Sequence, residues 1–389
     1  MSNDAKCPLR RLFRASSANG AGKVQHERAQ EKRVYCIVIL YNQELFFQQR
    51  EKPIGKTFPT TSKMDRKTVT VKVSFIIPHK GREEMLIQTL QSVGMQTLSE
   101  DEYEVIVVSQ NKTFSNALYE LKKQIPLTLM LNDSKHTISH SRNLGASAAQ
   151  GEYLAFLDAD VALEPKWAQA MAELLEENED IVLCSAMQKC SESAPPLEKI
   201  RTALSNAELD QTVTFLPGRN LFLSKTTFHS VGGFPEHLQT CEDYYFTQKV
   251  AETGRLLYTS ASNYVHLGED KAFLPMFKKE IWRGQSNLAS IKGRSIPLRE
   301  LPSFFIPFAV TLGVAFLLVA LLYSNMSLVI MASVLTILPL AVYTGRLKKL
   351  TGGSVNMYYC LLFYCLYFPA RVLGTLLGIK GALATPTHR

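Results

Sequence analysis

The chain has 389 residues, 46% of them hydrophobic and 20% charged, which excludes a disordered protein and exceeds a single small domain. Its formal charge of +8 is unevenly placed: residues 1–70 hold 14 basic and 6 acidic side chains, residues 71–300 hold 23 and 29, and residues 301–389 hold 6 and none. So long a stretch without a carboxylate excludes an ordinary soluble C-terminal domain, and the mean hydropathy of −0.02 averages a polar body with a lipid-soluble tail.

Residues 1–33 read as a basic lead without the continuous apolar core of a secretory signal. Val34–Leu40 and Leu45–Gln49, separated by Tyr41–Glu44, predict a short hairpin, and Lys52–Lys63 reads as linker. Met64 stands directly before the first strongly patterned element, so residues 1–63 are expected to be an accessory extension dispensable for chemistry or a product of start-site choice. Contact of this basic lead with anionic lipid headgroups is an alternative to a simple solvated charge run.

From Val71 the pattern alternates. Val73–Ile77 is a β-branched apolar run ending at Pro78, and Glu83–Val93 repeats apolar residues at helical spacing. A second strand over Glu104–Val108, a helix over Phe114–Gln124, a strand over Leu127–Leu131 and a helix from near Ser139 follow, then a fourth strand, Tyr153–Leu157, ending in Asp158-Ala159-Asp160. This order predicts an α/β fold with a mainly parallel, doubly covered sheet over residues 71–270. Ligands of such sheets bind beyond the carboxyl ends of the strands, where Pro78–Arg82, Ser109–Asn111 and Asp158–Asp160 fall.

Residues 271–300 form a basic amphipathic segment with Lys278, Lys279, Trp282, Arg283 and Lys292, suited to a bilayer surface. Within 301–389, Leu301–Tyr323 and Ser327–Tyr343 have the length of membrane spans. Met357–Ile379 carries Pro369 and Arg371 and is compatible with crossing, with a kink inside the bilayer, or with lying along its surface. The basic loop Thr344–Lys349 between the second and third stretches is expected on the cytoplasmic side, together with the polar body. The protein is thus expected in the inner membrane, multi-pass, with its polar body cytoplasmic. Seven cysteines, odd in number and without CxxC spacing, predict a reducing compartment and neither a disulfide framework nor a zinc site.

An Asp-x-Asp at a strand end is a weak signal alone, because carboxylates also cap helices and turns. Here it closes the stretch Ser141-Arg142-Asn143-Leu144-Gly145 through Tyr153-Leu154-Ala155-Phe156-Leu157-Asp158-Ala159-Asp160, which resembles the central motif of family 2 glycosyltransferases. Phe75-Ile76-Ile77-Pro78 resembles the opening strand of that family, and Val231-Gly232-Gly233-Phe234-Pro235 followed by Glu242-Asp243 resembles its acceptor-side signature. The likeness runs from about Val71 to Leu267 in order and spacing.

The resemblance implies a GT-A fold that binds a nucleotide-diphosphate sugar and inverts the anomeric centre in one displacement onto a lipid-linked or glycan acceptor. It implies a divalent metal, Mg²⁺ or Mn²⁺, bridging the diphosphate on Asp160, with Asp158 sharing the ion or bonding the ribose and with His266 as a further ligand. Direct inversion needs a base opposite the leaving group, which the family pattern assigns to Asp243, with Glu242 orienting the acceptor; acids at a helix start also have a purely structural use. Donor contacts are expected from Pro78, His79, Arg82, Ser109, Arg142, Asp158 and the Gly218-Arg219-Asn220 loop. Two departures stand out: Ser109-Gln110-Asn111 replaces the usual base-reading Asp, and His79-Lys80-Gly81-Arg82 replaces Thr-Tyr-Asn. Competing readings are a non-catalytic nucleotide-sugar binder that assists another enzyme and a translocase subunit; nucleic acid is not among the expected partners.

Overall fold

The computed structural model describes residues 73–238, 242–285 and 301–384. The hairpin and linker expected before Met64 lie outside the described residues. Four strands, β1 (Val73–His79), β2 (Tyr103–Ser109), β3 (Leu127–Leu131) and β4 (Tyr153–Leu157), lie parallel in the order β3-β2-β1-β4. Between them run α1 (Glu83–Gly94), α2 (Asn116–Leu121) and α3 (Ile138–Ala148). The sheet then turns mixed: β8 (Asn220–Ser224) is antiparallel to β4 and to β6 (Ile181–Lys189), β9 (Arg255–His266) is parallel to β6, and β5 (Val161–Leu163) and β7 (Gln211–Val213) are antiparallel to β9.

Both faces of this sheet are covered, which is why its strands read as unbroken apolar runs. Phe75, Ile77, Val105 and Val107 face one core with Leu86 of α1 and Trp167 of α4 (Trp167–Glu177). Ile76, Ile106 and Val108 face the other, with Phe228 of α6 (Lys225–Ser230) and Phe246 of α7 (Glu242–Ala251). A Cβ on Gly145 would meet Ile76 Cγ2 at 2.6 Å, so a side chain there would push α3 off the sheet. β1 outlasts its expected end: Pro78 and His79 stay in register with Val108 and Ser109. The helix expected over Phe114–Gln124 is shorter because Ser115 caps it, accepting from Leu118 N–H, and residues 122–126 turn into β3.

Beyond β9 come α8 (Phe273–Gly284), α9 (Leu301–Leu322), α10 (Met326–Leu350) and α11 (Met357–Ala384). The last three are each long and apolar enough to cross a membrane. The expected basic loop is instead the final turns of α10. Nothing breaks the helix before Gly352 and Gly353, which have φ of +56° and +82°, and Lys348 Nζ donates to the carbonyls of Gly353 and Val355 beyond the helix end. Pro369 and Arg371 do not interrupt α11, a single 28-residue helix. α5 (Pro196–Ser205) of the α/β body packs on α10 and α11, with Leu197, Ile200, Leu347, Val355 and Phe368 in one apolar cluster.

Candidate active site

The carboxyl ends of β1, β2, β3 and β4 open into a cleft of about 380 Å³. Pro78, His79 and Arg82 line it from β1, Gln110 from β2, His136 and Thr137 from the β3–α3 turn, and Asp158 and Asp160 from β4. Ser109 does not reach the cleft. It is fully buried, with its Oγ 2.9 Å from His79 Nδ1 and accepting from Asn111 N–H, so it ties β1 to β2 behind the wall. Gln110 takes the place expected of Ser109, with its Nε2 donating to His136 O at 2.9 Å. Burial pulls the His79 imidazole below its usual range, against a bond with Gly81 and the charge of Glu83, which favours the neutral ring at pH 7.

The antiparallel pairing of β5 with the end of β9 sets His266 opposite Val161, and Leu267 N–H donates to Asp160 O at 2.8 Å. His266 Nε2 thereby lies 3.6 Å from Asp160 Oδ1, while Arg82 Nη2 is 3.1 Å from Asp160 Oδ2. Glu269 approaches His266 Nδ1 at 3.2 Å. Burial disfavours the Asp160 carboxylate, but the bond and charge of His266 and then Arg82 outweigh it and keep the group below its ordinary value. Burial likewise pulls His266 down, and Asp160 and Glu269 outweigh it, so its basicity is raised. Glu269 is held far below the carboxylate range by His266, Arg201 and Arg219 against the penalty of burial.

Among the described residues no three His, Cys, Asp or Glu side chains form a closed metal cage. Asp160 and His266 offer one hard oxygen and one imidazole nitrogen facing each other, a partial set that suits Mg²⁺ or Mn²⁺ when phosphate oxygens complete the sphere. The expected third ligand is engaged elsewhere: Asp158 Oδ1 takes Arg142 Nη2 at 3.0 Å. Burial, with Asp160 adding to it, raises the Asp158 carboxyl against the pull of Arg142.

Arg142 is 2% exposed, and both of its terminal nitrogens are engaged. Its Nη1 meets Glu242 Oε1 at 2.9 Å, its Nη2 also reaches Gly218 O at 3.3 Å, and its guanidinium lies 5.0 Å from the centre of the Phe234 ring. It therefore forms a strut between Asp158 and the start of α7 and does not line the cleft. Gly218 lies against that strut, since a Cβ there would meet Arg142 Nη2 at 2.8 Å, and its N–H donates to Asp243 Oδ2 at 3.1 Å. Asn220 likewise does not line the cleft: it is fully buried at the start of β8, and its Oδ1 accepts from Ala186 N–H and Trp167 Nε1. The neighbouring Asn143 clamps the acceptor-side loop, donating to Phe234 O at 2.8 Å and accepting from Phe234 N–H at 2.9 Å.

Asp243 and Glu242 lie across Arg142 from the cleft and do not line it. Asp243 also accepts from Tyr244 N–H at 2.8 Å. Burial and then adjacent Glu242 push its carboxyl up to about 7, against Arg142 and the two backbone N–H groups. A carboxyl near neutrality beside an arginine strut can accept a proton at pH 7. Sequence reasoning missed His136, Thr137 and Glu269. The first two sit at the carboxyl end of β3, where the rule that located the other loops also applies; the third lies three residues after His266.

Residues 74–234 match the family described as glycosyl transferase family 2. An uncharacterized glycosyltransferase of Haemophilus influenzae is 26% identical over 187 residues, 46% of this chain and 62% of that protein. The poly(ribitol-phosphate) beta-glucosyltransferase of Bacillus spizizenii is 23% identical over 49% of this chain and 31% of its own length. The chain thus spans less than two thirds of either relative. Mannosyltransferase PcManGT from Pyrobaculum calidifontis, solved with GDP-Man and Mn²⁺, superposes with a TM-score of 0.55 at 17% identity, over 79% of this chain and 88% of that one. The α/β body is a family 2 glycosyltransferase domain of GT-A fold.

Proposed function

We propose that the protein transfers a sugar, with inversion, from a nucleoside diphosphate donor in the β1–β4 cleft to a lipid-linked or glycan acceptor at a membrane surface. The observation that carries this reading is the strut: Arg142 joins Asp158, on the cleft, to Glu242, whose neighbour Asp243 has its carboxyl pushed up to about 7. Asp160 and His266 would hold Mg²⁺ or Mn²⁺, which when bound offsets the charge of the leaving diphosphate. Arg82, exposed beside Asp160, would pair with a phosphate of the donor. Gln110 and His79 would face the nucleobase with neutral groups. Asp243, held by Gly218 N–H and Tyr244 N–H, would take the acceptor hydroxyl proton, while Glu242, pinned by Arg142, would orient the acceptor.

The exposed apolar α9 and α10 support membrane anchoring, and the packing of α5 on the end of α10 supports a basic helix end and active site on one, cytoplasmic, side. The test is the full chain in detergent with native lipid extract and a panel of UDP-, GDP-, CDP- and TDP-sugars, scored by nucleoside diphosphate release. Release with one donor class that requires the extract, and its loss in Asp160→Ala, is expected. Nucleotide binding without release for every donor would leave a non-catalytic binder instead.

A further inference from the structure

Glu280 on α8 is completely buried among three arginines: Arg283 Nη1 at 2.6 Å, Arg201 Nη1 at 3.5 Å and Arg371 Nη1 at 3.9 Å. Arg201 belongs to α5 of the α/β body and also approaches Glu269 at 3.6 Å and Asp270 at 3.5 Å. Glu269 in turn meets His266 of the cleft. Arg371 lies near the midpoint of α11. The middle of the third apolar helix therefore sits a few ion pairs from the His266 corner, at the level of the α/β body.

α11 is covered by α5 of that body, by α8, and by α9 and α10. Cys360, Phe363, Tyr364 and Phe368 share a cluster with Leu197 and Ile200 of α5, and the Tyr359 ring stacks on Phe273 at the start of α8 with centroids 6.3 Å apart. Further along, the backbones touch: a Cβ on Gly284 would meet Gly374 Cα at 2.9 Å. The outer part of α10 is bare by contrast, with Met326, Ile330, Met331 and Val334 each more than half exposed. The uncovered face of α11 carries Tyr358, Leu361, Leu373, Leu376 and Leu377, and α8 exposes Leu274, Lys278 and Trp282 along one stripe.

We infer that α8 and α11 form a platform lying in the boundary between headgroups and acyl chains, and that α9 and α10 alone cross the bilayer. The inference rests on the proposed membrane anchoring. Were α11 to cross, Arg371 and its partner Glu280 would lie near the bilayer centre, where charged side chains are costly. Arg201 and the 269–270 loop would follow it, carrying polar α/β surface into hydrocarbon that cannot hydrogen-bond it. Lying flat, α11 presents an apolar stripe to the acyl chains, while α8 adds a lysine and a tryptophan that favour the interface. The platform holds the His266 corner close to the lipid surface, where the phosphate of a lipid-linked acceptor resides.

The unmodified chain offers a direct test, because Trp167 is sealed in the α/β core and Trp282, 42% exposed on α8, is the other tryptophan. In vesicles of phosphatidylethanolamine and phosphatidylglycerol, Trp282 fluorescence is expected to be quenched more by lipids brominated near the headgroup than by those brominated near the chain end. Nitroxides on Leu361→Cys, Leu373→Cys and Leu377→Cys, in chains cleared of other reactive cysteines, are expected at one shallow depth. A label on Val334→Cys, exposed near the middle of the apolar part of α10, is expected deep. Positions 361 and 377 are about 24 Å apart along a helix. A depth that changes by most of that distance overturns the platform and makes α11 a third span. A water-exposed label at Val334 overturns the membrane anchoring itself.

Discussion

Arg142→Met removes the strut while keeping most of its apolar bulk. The guanidinium is 2% exposed and bonds two carboxylates, at 2.9 and 3.0 Å, and one carbonyl. Removing one partner of a buried ion pair costs about 3–5 kcal/mol. Glu242 is 12% exposed and Asp158 32%, so water recovers part of Asp158 and the lower end, about 3 kcal/mol, is expected. At roughly 2–4 °C per kcal/mol for a domain of this size, the melting temperature should fall by roughly 10 °C. Arg142 also opposes the upward push on Asp243, so its loss should move the pH at which transfer switches on to a higher value. Arg142→Lys, a single ammonium that reaches one carboxylate but not both, should fall between. The assay is differential scanning fluorimetry with a pH series of transfer rates. A variant that melts within about 2 °C of the parent and keeps its pH limb would refute the strut.

Further outcomes follow from individual residues. Asp160→Ala should abolish Mn²⁺-dependent nucleotide binding, read by calorimetry, because it removes the anionic oxygen facing His266; unchanged binding would remove Asp160 from the metal site. The Asp243 carboxyl sits above its unfolded value, so its stabilising contribution is complete below about pH 4 and is lost as pH rises through about 7. Asp243→Asn should therefore gain in melting temperature relative to the parent between about pH 5 and about pH 8, and a constant difference would show that Asp243 titrates normally. A cysteine at Asn325 should react with an impermeant thiol reagent from outside the cell, and one at Ser354 should not; the reverse pattern overturns the orientation.

Much of the fold could be read because both sheet faces are covered, so β1, β2 and β4 announce themselves as apolar runs with a polar punctuation at each carboxyl end. Asp160 was legible as a strand-end carboxylate, and His266 only by resemblance, since a strand pairing brings them together across about a hundred residues. The Arg142 ion pairs could not be read from sequence, which does not distinguish an arginine aimed at a phosphate from one closed between carboxylates. The last residue of the expected loop, Asn220, is already the first residue of β8, a boundary that sequence pattern does not fix. The basic turn Arg346–Lys349 remained helical because lysines suit a helix terminus as well as a loop. Arg371 marked the third apolar stretch as unusual, but only the packing of α5 and α8 shows what pairs with it.

The proposed role of Asp243 in taking the acceptor proton is tested by the transfer rate of Asp243→Asn at saturating donor and acceptor. Asn keeps the size and one acceptor oxygen for Gly218 or Tyr244 but loses the basicity. The rate should fall by roughly 10²–10⁴-fold while donor affinity is retained and a melt shows the chain folded. A near-normal rate would contradict the claim and pass the role to Glu242.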